Sequence, residues 1–338
     1  MTIDDIAKAA SVSTATVSRV INGKPVSSDR KARVEAAIER LQYVPNRAAR
    51  ALMSRTSQAI GVLVTSMSNQ YYMEITEVIE RRFREEGFMH FLCCTEGDRG
   101  RERNYLSELI SRQVDGVIVI DPSLDNVKDG FLKSLAGRVP LVLVHPLSDL
   151  ADIDSVVIDQ RFGMTRVMDY LTTLGHKDIG FVGGVVGYSY SLKEDAWREA
   201  HREAGRDPEA QFLAHIEDAN TENAIAQTRE KLVPLLRSGP VPTALFACND
   251  LMAIGVLEAA AEVGLKIPDD LSVVGHDNTI LASHSNLTSV DLKLKSIGLA
   301  SADLLMHCIR GKDTEPRRIL LTPELVHRST TAAPRRAL

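Results

Sequence analysis

The sequence predicts an α/β protein of two subdomains with parallel sheets, preceded by a small all-α head. Three observations carry this prediction. From Ala59 onward, short apolar runs alternate with amphipathic helical stretches, the pattern of parallel strands joined by crossover helices. Those runs number about eight or more, which favours two sheets over one. The first 57 residues instead follow a helix-only pattern and hold ten Lys/Arg against five Asp/Glu, in a chain whose total charge is −5. At 338 residues the chain has room for two or three domains.

The head divides into three short helices. Thr2 and Asp5 form a capping pattern ahead of Ile3, Ile6, Ala7, Ala9 and Ala10, which share one face. Ser11-Val12-Ser13 makes a turn, and Ser13 caps a second helix whose inward side is Val17, Val20 and Ile21. Asn22-Gly23-Lys24-Pro25 ends it, and Ser27 or Ser28 with Asp29 starts a third through Val34, Ala37, Ile38 and Leu41. A turn between two short helices, the second polar on its outer side, is the helix-turn-helix pattern. Thr14, Ala15, Ser18, Arg19 and Asn22 form that outer side. In a major groove Arg19 can pair bidentately with guanine, while Thr14 and Ala15 offer a hydroxyl and a methyl. Pro45 then breaks the third helix, and an alanine-rich run through Arg55 has helix propensity but too little length to stand alone. The expected boundaries are a head over 1–44, a hinge or linker over 45–57, and a body over 58–338.

In the body, residues 60–64, 90–93, 116–120 and 141–144 are expected strands, with helices near 72–86, 102–112 and 127–136. The series resumes with strands at 156–158, 179–182, 243–247 and 271–274, and helices near 163–174, 193–205, 222–237 and 250–263. Two sheets require the chain to cross between them, expected near 159–162, 288–294 and 320–325. Cys93, Cys94, Cys248 and Cys308 have neither C-x-x-C spacing nor a histidine partner, so they are expected as reduced thiols in a cytoplasmic protein. No signal peptide and no run of membrane-spanning length is expected, and neither a metal nor another cofactor is implied.

The motifs Ile6-Ala7-Lys8-Ala9-Ala10-Ser11-Val12-Ser13, Thr16-Val17-Ser18-Arg19-Val20-Ile21-Asn22 and Tyr43-Val44-Pro45-Asn46-Arg47-Ala48-Ala49-Arg50-Ala51-Leu52 resemble those of the LacI/GalR family of bacterial transcription regulators. In the body, Leu174-Gly175-His176, the run 249–255, the run 270–277 and Leu287-Thr288-Ser289-Val290 fit the same family in order and spacing. The resemblance spans nearly the whole chain. It implies that the subdomains are periplasmic-binding-protein-like and that the chain is a repressor. It further implies a homodimer or dimer of dimers, reading a palindromic duplex operator under control of a small polar effector. Ser13, Thr16, Ser18 and Asn22 would hold phosphates. Asn46, Ala49 and Leu52 would contact DNA from a hinge helix formed over 46–54, with Leu52 wedged into the minor groove. Ser11 departs from the glycine common at this turn.

Ligands of open α/β sheets bind beyond the carboxyl ends of the strands. Tyr71, Tyr72, His145, Asp159, Tyr190, Lys193, Asn249 and Asp277 all follow strand runs, in both halves of the body. The resemblance places the effector between the halves, with Asp277 accepting from ligand hydroxyls and Trp197 packing beneath. The residues alone leave other roles open: Asn249 and Asp250 as helix caps, Trp197 as core. Lys193 stands where many sugar-binding members have Arg, and Leu292 where a polar residue is frequent, so the effector is expected among sugars, sugar acids and related carboxylates rather than fixed as a hexose. An enzyme using Asp159, Asp277, His145 and His276 is the rival reading. It finds no G-x-S-x-G, no phosphate loop and no metal-spaced cluster, and leaves the head unexplained. A transport binding protein would need an export signal.

Overall fold

The computed structural model describes residues 1–21, 23–43, 56–145, 152–185, 187–311 and 315–335. They form two compact units, Met1–Ser57 and Gln58–Leu338.

In the first unit, α1 (Ile3–Ala10) opens on a full capping box. The Thr2 amide donates to the Asp5 carboxylate at 2.8 Å, and the Asp5 amide donates back to the Thr2 hydroxyl. The helix stops at Ser11, whose φ of 51° is left-handed, the conformation that favours glycine. After the turn come α2 (Thr14–Ile21) and α3 (Ser28–Arg40). Their apolar sides close a core of Ile6, Ala7, Ala10, Val17, Val34 and Ala37. Arg33 of α3 donates to the carbonyls of Ala10 (3.0 Å from Nε) and Ser11 (2.6 Å). These are carbonyls that a helix end leaves without intrahelical donors, so the guanidinium fastens α3 to the turn.

The second unit has two subdomains. The first is built from β1 (Ala59–Val64), α4 (Gln70–Glu85), β2 (Met89–Cys94), α5 (Arg99–Ser111), β3 (Gly116–Ile120), α6 (Leu124–Lys128), α7 (Phe131–Ala136), β4 (Leu141–His145) and β5 (Asp154–Ile158). The second holds α8 (Gln160–Thr173), β6 (Ile179–Gly184), α9 (Tyr188–Glu203), β7 (Leu213–Ile216), α10 (Ala224–Ser238), β8 (Ala244–Ala247), α11 (Asp250–Glu262), β9 (Ser272–Asp277), α12 (Ile280–His284) and β10 (Thr288–Asp291). The chain then returns to the first subdomain with α13 (Leu294–Ile309) and β11 (Arg318–Leu321), and adds β12 (Glu324–Val326) to the second. The sheet orders, β2-β1-β3-β4-β5-β11 and β7-β6-β8-β9-β10-β12, repeat one another. All pairings are parallel except β10 with β12. The central strands β3, β4, β6, β8 and β9 are buried along their whole length, as strands covered on both faces must be. Passage between sheets occurs at Asp159, at 292–293 and at 322–323.

Two helix pairs are held close by glycine. A Cβ on Gly298 of α13 would lie 2.8 Å from the Ile75 carbonyl of α4, and one on Gly255 of α11 would lie 2.6 Å from the Ile225 carbonyl of α10. Only a residue without Cβ allows such backbone approach.

Several elements depart from expectation. The helix expected over 127–136 is two pieces, broken at Gly130 (φ 77°), where the Asp129 carboxylate accepts from the Phe131 amide at 3.0 Å. The apolar spacing of Val127, Phe131 and Leu135 runs through the break, which is why periodicity alone joins them. Strand β7 carries His215 and escapes an apolar-run reading; β10, β11, β12 and α13 fall within or beside segments expected only as crossings. No helix among the described residues is long and apolar enough to cross a membrane.

Candidate functional site

The outer face of α2 is the first candidate. Val17 is fully buried, while Thr14, Ala15 and Arg19 are exposed and Thr16 and Ser18 are half-buried. The face follows from helical spacing: positions 14, 15, 18 and 19 lie opposite 17, 20 and 21. Ser13 starts the helix, its hydroxyl accepting from the Thr16 amide at 3.2 Å and lying 3.0 Å from the Thr16 hydroxyl. An exposed arginine beside small side chains, on a helix whose other side is packed, can enter a groove and reach a base edge. Asn22, Asn46, Ala49 and Leu52, with residues 45–55 of the expected hinge, lie outside the described residues.

The second candidate lies at the carboxyl ends of the body's strands. Asp121 directly follows β3 and Asp277 ends β9. On the first subdomain, Asn69 caps α4 by accepting from the Tyr71 amide (3.0 Å), and Tyr72 donates its hydroxyl to Asp121 at 3.0 Å. Tyr71 and Tyr72 pack edge to face at 4.8 Å. On the second, the Lys193 ammonium donates to the Cys248 carbonyl (2.8 Å), stands 3.4 Å from His276 Nδ1 and lies 5.5 Å from the Tyr190 ring centre. His276 Nδ1 is also 3.0 Å from the Asp277 carboxylate.

Burial lifts the Asp121 carboxyl to about 6, opposed by the Tyr72 hydroxyl and by Lys193. Asp277 is raised well above the carboxylate range, first by burial and further by the charges of Asp250, Asp121 and Glu74, with Lys193 opposing. Burial and then Lys193 hold the His276 imidazole neutral. The Asp277 backbone stands at φ 105°, a region costly for any residue with a Cβ and found preferentially where function demands a fixed side chain. This cluster therefore gathers acid around the Lys193 ammonium, and burial makes its carboxyls resist further negative charge.

The structure brings together Tyr71, Tyr72, Tyr190, Lys193 and Asp277 from the expected set, with Asn69 and His276 beside them, and adds Asp121. An acid immediately after a fully apolar strand run is the signal that marks Asp121. Four of the expected residues, Trp197, Asn249, Asp159 and His145, stand elsewhere or are otherwise engaged. Trp197 is a correction: it is fully buried, stacks on Phe181 and donates its indole N–H to the Ile179 carbonyl at 2.9 Å. Ile179 begins β6, so one helical turn beyond Lys193 carries Trp197 toward the opposite end of the strand and into the core. Asn249 caps α11, accepting from the Met252 amide (2.8 Å) and donating to the Ala219 carbonyl (2.8 Å), with the Tyr190 hydroxyl within 3.4 Å. Asp159 caps α8 at the subdomain crossing, accepting from the Phe162 amide at 2.9 Å. His145 is buried at the end of β4, where desolvation and Arg318 lower its pKa to about 4. Asp250 accepts from the Thr279 amide (2.7 Å) and hydroxyl (2.9 Å) and the Ser289 hydroxyl (2.7 Å), tying α11 to its neighbours.

Comparison with known proteins agrees with this division of labour. Residues 2–46 match the model of bacterial regulatory proteins, lacI family, and residues 168–331 match a periplasmic binding protein-like domain. The chain is 34% identical to the HTH-type transcriptional regulator DegA of Bacillus subtilis (strain 168), over 98% of both chains. It is 32% identical to the HTH-type transcriptional repressor PurR of Aliivibrio fischeri (strain MJ11), over 97% of this chain and 98% of that one. Among solved structures, the lac repressor dimer bound to operator and the anti-inducer ONPF superposes with a TM-score of 0.85 at 28% identity, covering 98% of this chain and 99% of the other. These relatives are named as regulators and not as enzymes. With a helix-turn-helix head, two α/β subdomains and this likeness over nearly its full length, the chain belongs to the LacI family of bacterial transcription regulators.

Proposed function

We propose that this chain is a cytoplasmic repressor that binds a two-fold symmetric operator as a homodimer and is controlled by a small polyhydroxylated metabolite held between its subdomains. Arg19 carries the largest base preference, at a guanine, and Thr14 and Ala15 add small contacts. Ser13, Thr16, Ser18 and Asn22 hold phosphates and fix register. Residues 45–57 act as the hinge, with Asn46, Ala49 and Leu52 against the minor groove. The dimeric, operator-bound state of the similar lac repressor supports the symmetry.

The observation that carries the effector reading is the convergence of Tyr72–Asp121 from one subdomain with Lys193, His276 and Asp277 from the other. It also narrows the ligand. A sugar acid would set its carboxylate beside two buried carboxyls that resist further negative charge, and would meet only Lys193, which already serves the Cys248 carbonyl. Hydroxyl or amine donors suit the two carboxyls.

The test is a thermal-shift screen of sugars, amino sugars and sugar acids, followed by operator binding with each hit. A neutral or amine-bearing hit that loses at least tenfold in affinity with Asp277→Asn supports the reading. A hit indifferent to Asp277→Asn, Asp121→Asn and Lys193→Met counts against the cleft.

A further inference from the structure

The loop after β7 joins the second subdomain to the first. The Glu222 carboxylate accepts from the Ser68 hydroxyl at 2.5 Å, and the side-chain oxygen of Asn220 accepts from the side-chain NH2 of Asn69 at 3.1 Å. The same Asn220 oxygen accepts from the Tyr190 hydroxyl at 2.8 Å. At a separate point, the Glu74 carboxylate of α4 accepts from the Ile280 amide at 2.9 Å, at the first turn of α12. These bonds link α4 and the loop before it, all in the first subdomain, to two loops of the second. The clasp loop is itself braced: Asn223 donates to Asp218 at 3.0 Å and the Asp218 amide donates to Gln227 at 3.1 Å. It therefore presents Asn220 and Glu222 as a unit.

We propose that Asn220 and Glu222 form a clasp that holds the two subdomains shut through Asn69 and Ser68, so that the protein itself sets part of its closure equilibrium. The inference rests on the cleft reading for its regulatory meaning but not for its geometry. Tyr190 makes Asn220 the point where occupancy is felt. A ligand group that engages the Tyr190 hydroxyl changes the competition for the Asn220 oxygen, and with it the hold on Asn69. A bond of this kind multiplies the closed-to-open ratio by about twofold to tenfold, the scale of an ordinary allosteric coupling.

The Ile280 amide reports closure, because its acceptor belongs to the other subdomain and it lies away from the clasp in sequence. The experiment is amide hydrogen exchange of the full-length chain without added metabolite, comparing the parent with Ser68→Ala, Glu222→Ala and Asn220→Ala. Ser68 and Glu222 are exposed, so their replacement leaves the core untouched. Exchange at Ile280 is expected to quicken by about twofold to tenfold in each variant. Ser68→Ala and Glu222→Ala together are expected to do no more than Glu222→Ala alone, because they break one bond. Glu74→Ala gives the upper limit, and matched thermal melts separate opening from unfolding. Unchanged Ile280 exchange in Glu222→Ala and Asn220→Ala, with Glu74→Ala accelerated, overturns the clasp while leaving the cleft reading intact. Loss of metabolite binding is read separately in the thermal-shift screen.

Discussion

Asp121 shows how a residue's place in the fold sets its chemistry. It follows five buried strand residues, and its carboxyl is lifted to about 6 by that burial. Aspartates of an unfolded chain titrate near 4, so the folded protein holds this proton more tightly. Ionising Asp121 therefore costs stability as pH rises from about 4 to about 6, and the cost persists above that range. Relative to the parent, Asp121→Asn should be neutral near pH 4 and gain about 1–3 kcal/mol by pH 7 in denaturant titrations. A constant difference across that range would show that Asp121 is ordinary. At this scale the sequence is legible where a side chain's setting follows local position: the exposed set on α2 and the acid ending β9 are both visible from spacing. For Trp197 and Asn249 the sequence leaves core and helix cap open beside ligand contact, because a position after a strand does not reveal which way the next helix turns its side chains. The left-handed backbone at Ser11 gives a physical reason for the glycine that the resemblance leads one to expect at this turn.

Elements fit together through approaches that no periodicity announces. The contact of α4 with α13 depends on Gly298, a residue that hydrophobic patterning ignores. Gly298→Ala should destabilise the body by about 1–3 kcal/mol through forced separation of the two helices, measured as a lowered urea midpoint with unchanged slope. A wild-type midpoint would mean the pair has slack. The long apolar strands and their helices were readable because strands buried on both faces leave continuous runs. Strand β7 and the terminal strands β11 and β12 lie at sheet edges, where half-exposed residues dilute that signal. The division of the 127–136 helix depends on one glycine and one aspartate cap, a local effect that apolar spacing overrides on paper.

For the whole molecule, charge and topology carry the argument. A head with an excess of five positive charges precedes a body that leaves the chain at −5, so attraction to a polyanion is expected of the N-terminal unit rather than of the body. The two repeated sheets are linked by three passages, a construction that lets one half move on the other with little chain to distort. Control of DNA binding would then be a change in how the halves sit, biased by ligand and by the clasp.

The central claim is that the head reads DNA sequence through α2. It is tested most directly by selecting duplexes from a random pool with the full-length chain, then titrating the best site and a scrambled duplex over a range of salt. The expected result is a two-fold symmetric site, affinity that falls steeply with salt, and a loss of about 1–3 kcal/mol of discrimination at one guanine in Arg19→Ala. Equal affinity for selected and scrambled duplexes, or an Arg19→Ala variant that weakens both alike, would contradict it.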